Sequence, residues 1–265
     1  MSFLLTGRIA VVTGGASGIG EACARLFAER GAKAVVTDVN LEGAKAVASS
    51  LGGVAFEMDV RSPRSVEAAA ERIEAEVGPV NITVCNAGVT QLPVPAEKLS
   101  LDVWDRMQET DLRGVFVTAV AFGRHMAERG KGAIVNIASI TGMRATPVHA
   151  YASAKAAVIS LTASLAADWG RSGVRVNCVS PGYTLTPLLQ SLIDRGERDP
   201  ASILPSTAMG RLVRPDEIAR AVAFLASDEA SAITGVNIPV DAGWLVAASW
   251  HTYGGVPPAR NPQGN

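Results

Sequence analysis

The sequence predicts an α/β fold, a parallel sheet assembled from βαβ units with helices on both faces. Two observations carry this. Short Val- and Ile-rich runs alternate with longer helical stretches along the chain, which is the order such units impose. Most of the short runs are continuously apolar, as strands covered on both sides must be. No linker, repeat or low-complexity stretch divides the 265 residues, so 1–265 reads as one domain.

Taken in order, the strand candidates are Ile9–Thr13, Ala34–Asp38, Val54–Met58, Ile82–Cys85, Ala133–Ala138, Val174–Val179 and Val236–Val240. A helix follows the first strand, beginning near Glu21. Ser62-Pro63 marks another with an N-cap and a proline at N1, and Pro215-Asp216-Glu217 opens a third with acids in its first turn. Two long helices are expected at about Leu101–Glu128 and Ala150–Gly170, with Trp104 and Trp169 as packing residues and His125 near a helix end as a dipole partner. Residues 184–214 form a long connection rich in Pro, Leu and Ser, read as a substrate lid or a disordered loop. The tail 244–265 carries Trp244, Trp250, His251 and Tyr253, read as terminal packing or as a cap on a neighbouring subunit's site.

Composition narrows the function classes. Twenty-four basic against 25 acidic residues leave a formal charge of −1, with no basic excess to recruit nucleic acid or an anionic membrane. A small molecule is the expected partner. Cys23, Cys85 and Cys178 match no metal or redox spacing, so no metal is expected and a cytoplasmic setting is. The N-terminal stretch turns glycine-rich too early for a signal peptide, and no apolar run approaches the ~18 residues of a membrane span.

The first strand runs directly into Thr13-Gly14-Gly15-Ala16-Ser17-Gly18-Ile19-Gly20. Glycines permit the tight turn and let backbone N–H groups approach a pyrophosphate, with the positive end of a helix behind them. Asp38 follows 18 residues after Gly20, at the end of the second strand. A carboxylate there accepts hydrogen bonds from both ribose hydroxyls and repels a 2′-phosphate, and Ser17 rather than a base precedes Gly18. Both features favour NAD over NADP. Tyr151 and Lys155 stand four residues apart on a helical segment and so share a face. A free phenol is a poor base at neutral pH, and a neighbouring ammonium favours its phenolate. Upstream, the run Ile134–Ser139 is a strand ending in a serine where ligands meet such sheets.

With these residues in sequence order, the chain resembles the short-chain dehydrogenase/reductase family from its start to about Gly243. The resemblance also takes in Asp59-Val60, Asn86-Ala87-Gly88, and Pro181-Gly182 with Thr184 and Thr186. It implies a single-domain, doubly wound Rossmann fold with a seven-stranded parallel sheet, and a homotetramer packed through the long helices. It implies that Ser139 bonds the substrate oxygen, Tyr151 exchanges its proton, and Lys155 holds the nicotinamide ribose and lowers the Tyr151 pKa. Asp59 and Val60 would contact adenine, Asn86, Ala87 and Gly88 would line the adenosine ribose, and Pro181 to Thr186 would bind the carboxamide.

Four positions depart from the family's usual pattern. Asp111 stands for an Asn that helps hold a water linked to the lysine, Cys85 for a first Asn, Ala154 for a Ser, and Ala242 for a Gly. An acid at 111 would raise the Lys155 pKa and slightly weaken its help to Tyr151. Gln91, Arg144, His149 and Tyr183 are the substrate-contact candidates, each alternatively a surface residue. A pocket bearing them suits a polyhydroxylated substrate, and several stretches look most like polyol and sugar dehydrogenases. The expectation is an NAD-dependent oxidation of a secondary alcohol. A reductase of 3-oxoacyl or other bulky ketones is the alternative enzyme. A non-catalytic NAD-binding sensor is the alternative class, and it would have no use for Ser139, Tyr151 and Lys155.

Overall fold

The computed structural model describes residues 5–258 and Arg260. Residues 1–4, Ala259 and 261–265, the last two falling within the predicted tail 244–265, lie outside the described residues.

The chain opens with β1 (Ile9–Thr13), α1 (Gly18–Glu29), β2 (Lys33–Asp38), α2 (Leu41–Ser50), β3 (Val54–Glu57), α3 (Pro63–Glu76) and β4 (Ile82–Cys85). It continues through α4 (Leu101–Gln108), α5 (Gly114–Glu128), β5 (Gly132–Ile137), α6 (His149–Trp169) and β6 (Val174–Pro181). Then come α7 (Pro187–Asp194), α8 (Pro200–Ile203), α9 (Pro215–Ala226), β7 (Asn237–Val240) and α10 (Trp244–Ala247). The seven strands form one parallel sheet in the order β3-β2-β1-β4-β5-β6-β7. This is the doubly wound arrangement, and its winding reverses between β1 and β4, where such sheets bind ligands.

Alternate residues of one strand enter opposite cores. Ala10 and Val12 pack with Phe27 of α1 and Ile218 of α9, whereas Val11 packs with Ile73 of α3 and Phe122 of α5. Both faces are dry, which is why these strands read as unbroken apolar runs. Ser62 caps α3 by accepting from the Ser65 N–H, with Pro63 in the first turn. Trp169 packs into the second core, where Gly123 leaves room for its ring. Trp104 does not pack as expected: it is 36% exposed on α4, a helix that buries only Met107.

Two further expectations change. The predicted helix Leu101–Glu128 is interrupted by a π-helical turn, Glu109–Arg113, that carries Asp111 at its centre. Residues 184–214 carry two short helices, α7 and α8, between irregular stretches. Thr186 caps α7 by accepting from the Leu189 N–H, Pro187 starts it, and Leu189 and Leu192 are buried beneath it. A bridge between Thr184 and Val213 ties the two ends of the segment together. In the tail, α10 and a 3-10 stretch (Ala248–Tyr253) continue the chain, and the Trp244 ring meets Tyr183 edge-on at 6.2 Å.

One helix, continued by its terminal 3-10 turn as His149–Ser172, is long and apolar enough to cross a membrane by length and composition. It packs along β6 and supplies Tyr151 and Lys155, so its apolar character serves the second core.

Candidate active site

The C-terminal ends of β1, β4, β5 and β6 open into a cleft of about 590 Å³. Its floor is the glycine loop. Gly14 and Gly18 both sit at φ +62°, the left-handed region, which only glycine adopts without strain. A Cβ on Gly20 would lie 2.2 Å from the Gly14 carbonyl oxygen, so loop and helix approach as closely as backbones can. Ser17, the α1 N-cap, offers no side-chain cap. The first N–H groups of that helix are therefore left to bind something else.

Asn86 pins this loop from β4. Its amide Nδ2 donates to the carbonyls of Thr13 and Gly14, and Thr13 Oγ1 accepts from the N–H groups of Asn86 and Ala87. Asp38, at the tip of β2, accepts from Ala16 N–H at 3.1 Å and Asn40 N–H at 2.9 Å and lines the cleft. Asp59 also lines it and holds Arg61 in a two-point ion pair that keeps its carboxyl below the usual range.

At the other end of the cleft stand Ser139, Tyr151, Lys155 and Asp111. Lys155 is buried; its Nζ donates to the Ile137 carbonyl at 3.1 Å, lies 3.0 Å from Asp111 Oδ1, and sits 5.5 Å from the Tyr151 ring centre. Asp111 is fully buried and accepts from the Val89 N–H at 3.2 Å. A Cβ on Gly88 would stand 2.6 Å from Asp111 Oδ1, so the glycine makes room for the carboxylate. Burial pushes the Asp111 carboxyl up, partly offset by Lys155. Burial works against the Lys155 ammonium, but Asp111 and Tyr151 outweigh it and hold the lysine above its usual value. Burial raises the Tyr151 phenol; Lys155 lowers it, Asp111 raises it, and a hydrogen bond from Ser139 lowers it.

Tyr151 and Ser139 also line a second cavity of about 240 Å³ under α7, so the two spaces meet at the phenol. Gln91 is buried against this cavity. Its Oε1 accepts from Ala150 N–H and Tyr151 N–H, satisfying the start of α6 and fixing the residue that carries the phenol. Thr141, two residues beyond Ser139, donates its hydroxyl to Ser139 Oγ at 3.0 Å. Among the described residues, no group of three or more His, Cys, Asp or Glu could hold a metal ion.

The family profile described as enoyl-(acyl carrier protein) reductase matches residues 14–245. The D-threitol dehydrogenase of Mycolicibacterium smegmatis is 44% identical over 250 residues, 92% of this chain and 95% of that one. The galactitol 2-dehydrogenase of Rhizobium johnstonii is 41% identical over 249 residues, 91% of this chain and 96% of that one. The chain belongs to the short-chain dehydrogenase/reductase family. A crystal structure described as ribose-5-phosphate isomerase from Brucella melitensis 16M superposes with a TM-score of 0.96 at 49% identity, covering 97% of this chain and 100% of that one.

This dehydrogenase is thus an oxidoreductase of CH–OH groups, in a family that uses a nicotinamide dinucleotide. The residues present fit that group. The glycine cradle leaves no space for a Cβ at Gly14 or Gly20, α1 presents an uncapped N-terminus, and the cleft joins both to Tyr151.

Of the expected cofactor set, Gly14, Ser17, Gly18, Ile19, Asp38, Asp59, Val60, Asn86, Ala87, Gly88, Pro181, Gly182, Thr184 and Thr186 line the cleft. Gly20 lies behind it as the point of close approach. Of the substrate candidates, Gln91 and Tyr183 line the second cavity, while Arg144 and His149 are exposed and line neither. Ala242 adopts φ +52°, the backbone of the glycine it replaces. Thr141, Thr146 and Arg198 join the second cavity without having been anticipated. No local spacing announces them: Thr141 and Thr146 lie in the connection from β5 to α6 and Arg198 between α7 and α8, far apart in sequence.

Proposed function

We propose that this dehydrogenase interconverts a secondary alcohol of the polyol or sugar class and its ketone, with NAD as its hydride acceptor. The observation that carries the reading is the junction of the two cavities at Ser139 and Tyr151. A nucleotide seated on the glycine loop and an alcohol seated under α7 would meet there.

When bound, the nicotinamide supplies the hydride-accepting carbon. The chain's own residues do the rest. Ser139 orients the carbinol oxygen, and Tyr151 takes its proton as the phenolate. Lys155, held charged by Asp111, stabilises that phenolate. The glycine loop and the free N–H groups of α1 would hold the pyrophosphate, with Asp59, Val60 and Asn86 to Gly88 around the adenosine. Pro181, Gly182, Thr184 and Thr186 would fix the carboxamide. Asp38 stands where a 2′-phosphate would meet like charge, which favours NAD over NADP.

The polyol class is supported by the threitol and galactitol dehydrogenases at 44% and 41% identity. The whole chain is read as one catalytic domain in a cytoplasmic homotetramer. Support for the assembly comes from the small, exposed face of α6 and the exposed Phe116 and Leu101 on the neighbouring helices. Support for the compartment comes from three free, buried cysteines.

The test is turnover of a panel of polyols, sugars and ketones with each nicotinamide cofactor, alongside Tyr151→Phe. Expected are oxidation with NAD preferred and a loss of roughly 10²- to 10⁴-fold in Tyr151→Phe with NAD binding kept. Preference for NADP overturns the role of Asp38, and full activity in Tyr151→Phe overturns the mechanism. Ribose 5-phosphate without nicotinamide is the control for the activity named for the 49% identical structure, and no isomerisation is expected.

A further inference from the structure

The segment over the second cavity contains four arginines, and three of them are engaged. Arg195 pairs with Glu197, Arg211 with Glu217, and Arg214 with Asp216 and Glu217. Arg198 has no ion-pair or side-chain hydrogen-bond partner among the described residues, is only partly exposed, and lines the cavity. The acids nearest it in sequence have other partners: Asp194 accepts from Gln190, Glu197 pairs with Arg195 while also feeling the Arg198 charge, and Asp199 accepts from the Ala201 N–H of α8. Among the described residues, Arg198 is the one charged residue in the cavity lining, and no carboxylate lines it.

A second residue of the same lining points the same way. Gln91 is 4% exposed, and its Nε2 is buried without a partner. Its orientation is not free, because Oε1 must face the two N–H groups at the start of α6. What Gln91 has left to offer is therefore a donor. The Thr146 hydroxyl, also in the lining, is likewise buried without a partner. A guanidinium and an amide NH₂ can only donate. A ligand held by Arg198 must present acceptor oxygens, and one that answers its charge in a lining without a carboxylate must be negative.

We propose that the alcohol oxidised by this dehydrogenase carries an anionic group, a carboxylate or a phosphate ester, bound by Arg198 in the cavity that Gln91 also lines. This rests on the secondary-alcohol reading and narrows it. The neutral carbinol lies at Ser139 and Tyr151, and the charged end lies under α7.

The experiment compares three matched substrates with NAD: a polyol, the aldonate in which one terminal carbinol is a carboxylate, and the same polyol phosphorylated at its end. The anionic members should exceed the polyol in kcat/KM, and whichever leads identifies the source of charge. Arg198→Gln should lower kcat/KM for the preferred anion on the order of 10- to 100-fold, mostly through KM, and more than for the polyol. Arg198→Lys should recover part of the loss. A wild-type preference for the neutral polyol, or equal losses on polyol and anion in Arg198→Gln, overturns the proposal. Calorimetric binding of malonate and of inorganic phosphate to the NAD-loaded protein tests the anion seat without turnover. Binding weakened in Arg198→Gln supports the seat even if no alcohol in the panel reacts, which would overturn only the alcohol reading. Equal binding by both proteins overturns the seat.

Discussion

The cleft under the glycine loop and the cavity under α7 share Tyr151 and Ser139 but are built in different ways. The cleft is made of strand ends and backbone: Gly14, Gly18 and Gly20, the carbonyls held by Asn86, and Asp38 at the tip of β2. The cavity is made of side chains from separate loops, with Gln91, Thr141, Thr146 and Arg198 brought together only by the folded chain. Main-chain geometry recognises a part common to many ligands, in the proposed function a pyrophosphate. Loop side chains can change without disturbing the sheet, so they are where one substrate is told from another.

If that contrast is right, a single methyl in the cleft should do more damage than the loss of a functional group in the cavity. Gly20→Ala puts a Cβ 2.2 Å from the Gly14 carbonyl oxygen and 2.6 Å from Asn86 Nδ2. Backbone cannot yield as a side-chain end can, so the loop must open. The expected result is loss of measurable NAD binding by calorimetry and a destabilisation of about 1–3 kcal/mol by urea titration. Ordinary NAD affinity in Gly20→Ala would mean that the loop tolerates a shift its packing does not suggest.

In the cavity, Gln91 has two roles that separate by substitution. Gln91→Leu strips the acceptor from Ala150 N–H and Tyr151 N–H, at a cost of about 1–3 kcal/mol. That is a fall on the order of 5 °C in Tm for a domain of this size. Gln91→Glu keeps the acceptor at the helix start, so its Tm should stay within about 1–2 °C of wild type. It exchanges the free donor for a negative charge, so an anionic substrate should lose more than a neutral one. A Tm fall of equal size in both variants would show that the contact with α6 is not what Gln91 supplies.

The same division governs how far the sequence could be read. The seven strands, the glycine loop, Asp38, Ser139 and the Tyr151–Lys155 pair were legible because each depends on spacing within one turn, strand or helix. Gln91 and Tyr183 were legible only as candidates, from their place after cofactor motifs. Arg144 and His149 were equally plausible by position, and the loops turn them outward. Arg198 carried no signal, since nothing in a run with four arginines tells which one lacks an acid. The π turn at 109–113 is equally silent, because it changes hydrogen-bond spacing rather than residue pattern. Thr186-Pro187 did mark the start of α7, a cap and N1 proline like Ser62-Pro63, and was obscured by the prolines and serines that follow.

Asp111 lines the cleft beside Lys155, just behind the junction at Tyr151, and it offers the smallest and sharpest test. Its carboxylate reaches Lys155 directly at 3.0 Å, in space left by Gly88. Asp111→Asn keeps an acceptor and removes a charge. Asp111 raises the Tyr151 phenol, so losing that charge lets the phenol ionise at lower pH. Asp111 also holds the Lys155 ammonium up, so Lys155 would lose its proton sooner and give Tyr151 less help at the alkaline end. The two effects oppose each other. While Lys155 stays charged the first one governs, and the rising limb of the oxidation profile should move to lower pH by less than about one unit. The alkaline plateau should fall, because there the second effect takes over. A limb displaced upward would mean that Lys155 in Asp111→Asn is already neutral across the working range. A profile unchanged in position but abolished in height would make Asp111 a participant in proton movement rather than a residue that positions Lys155.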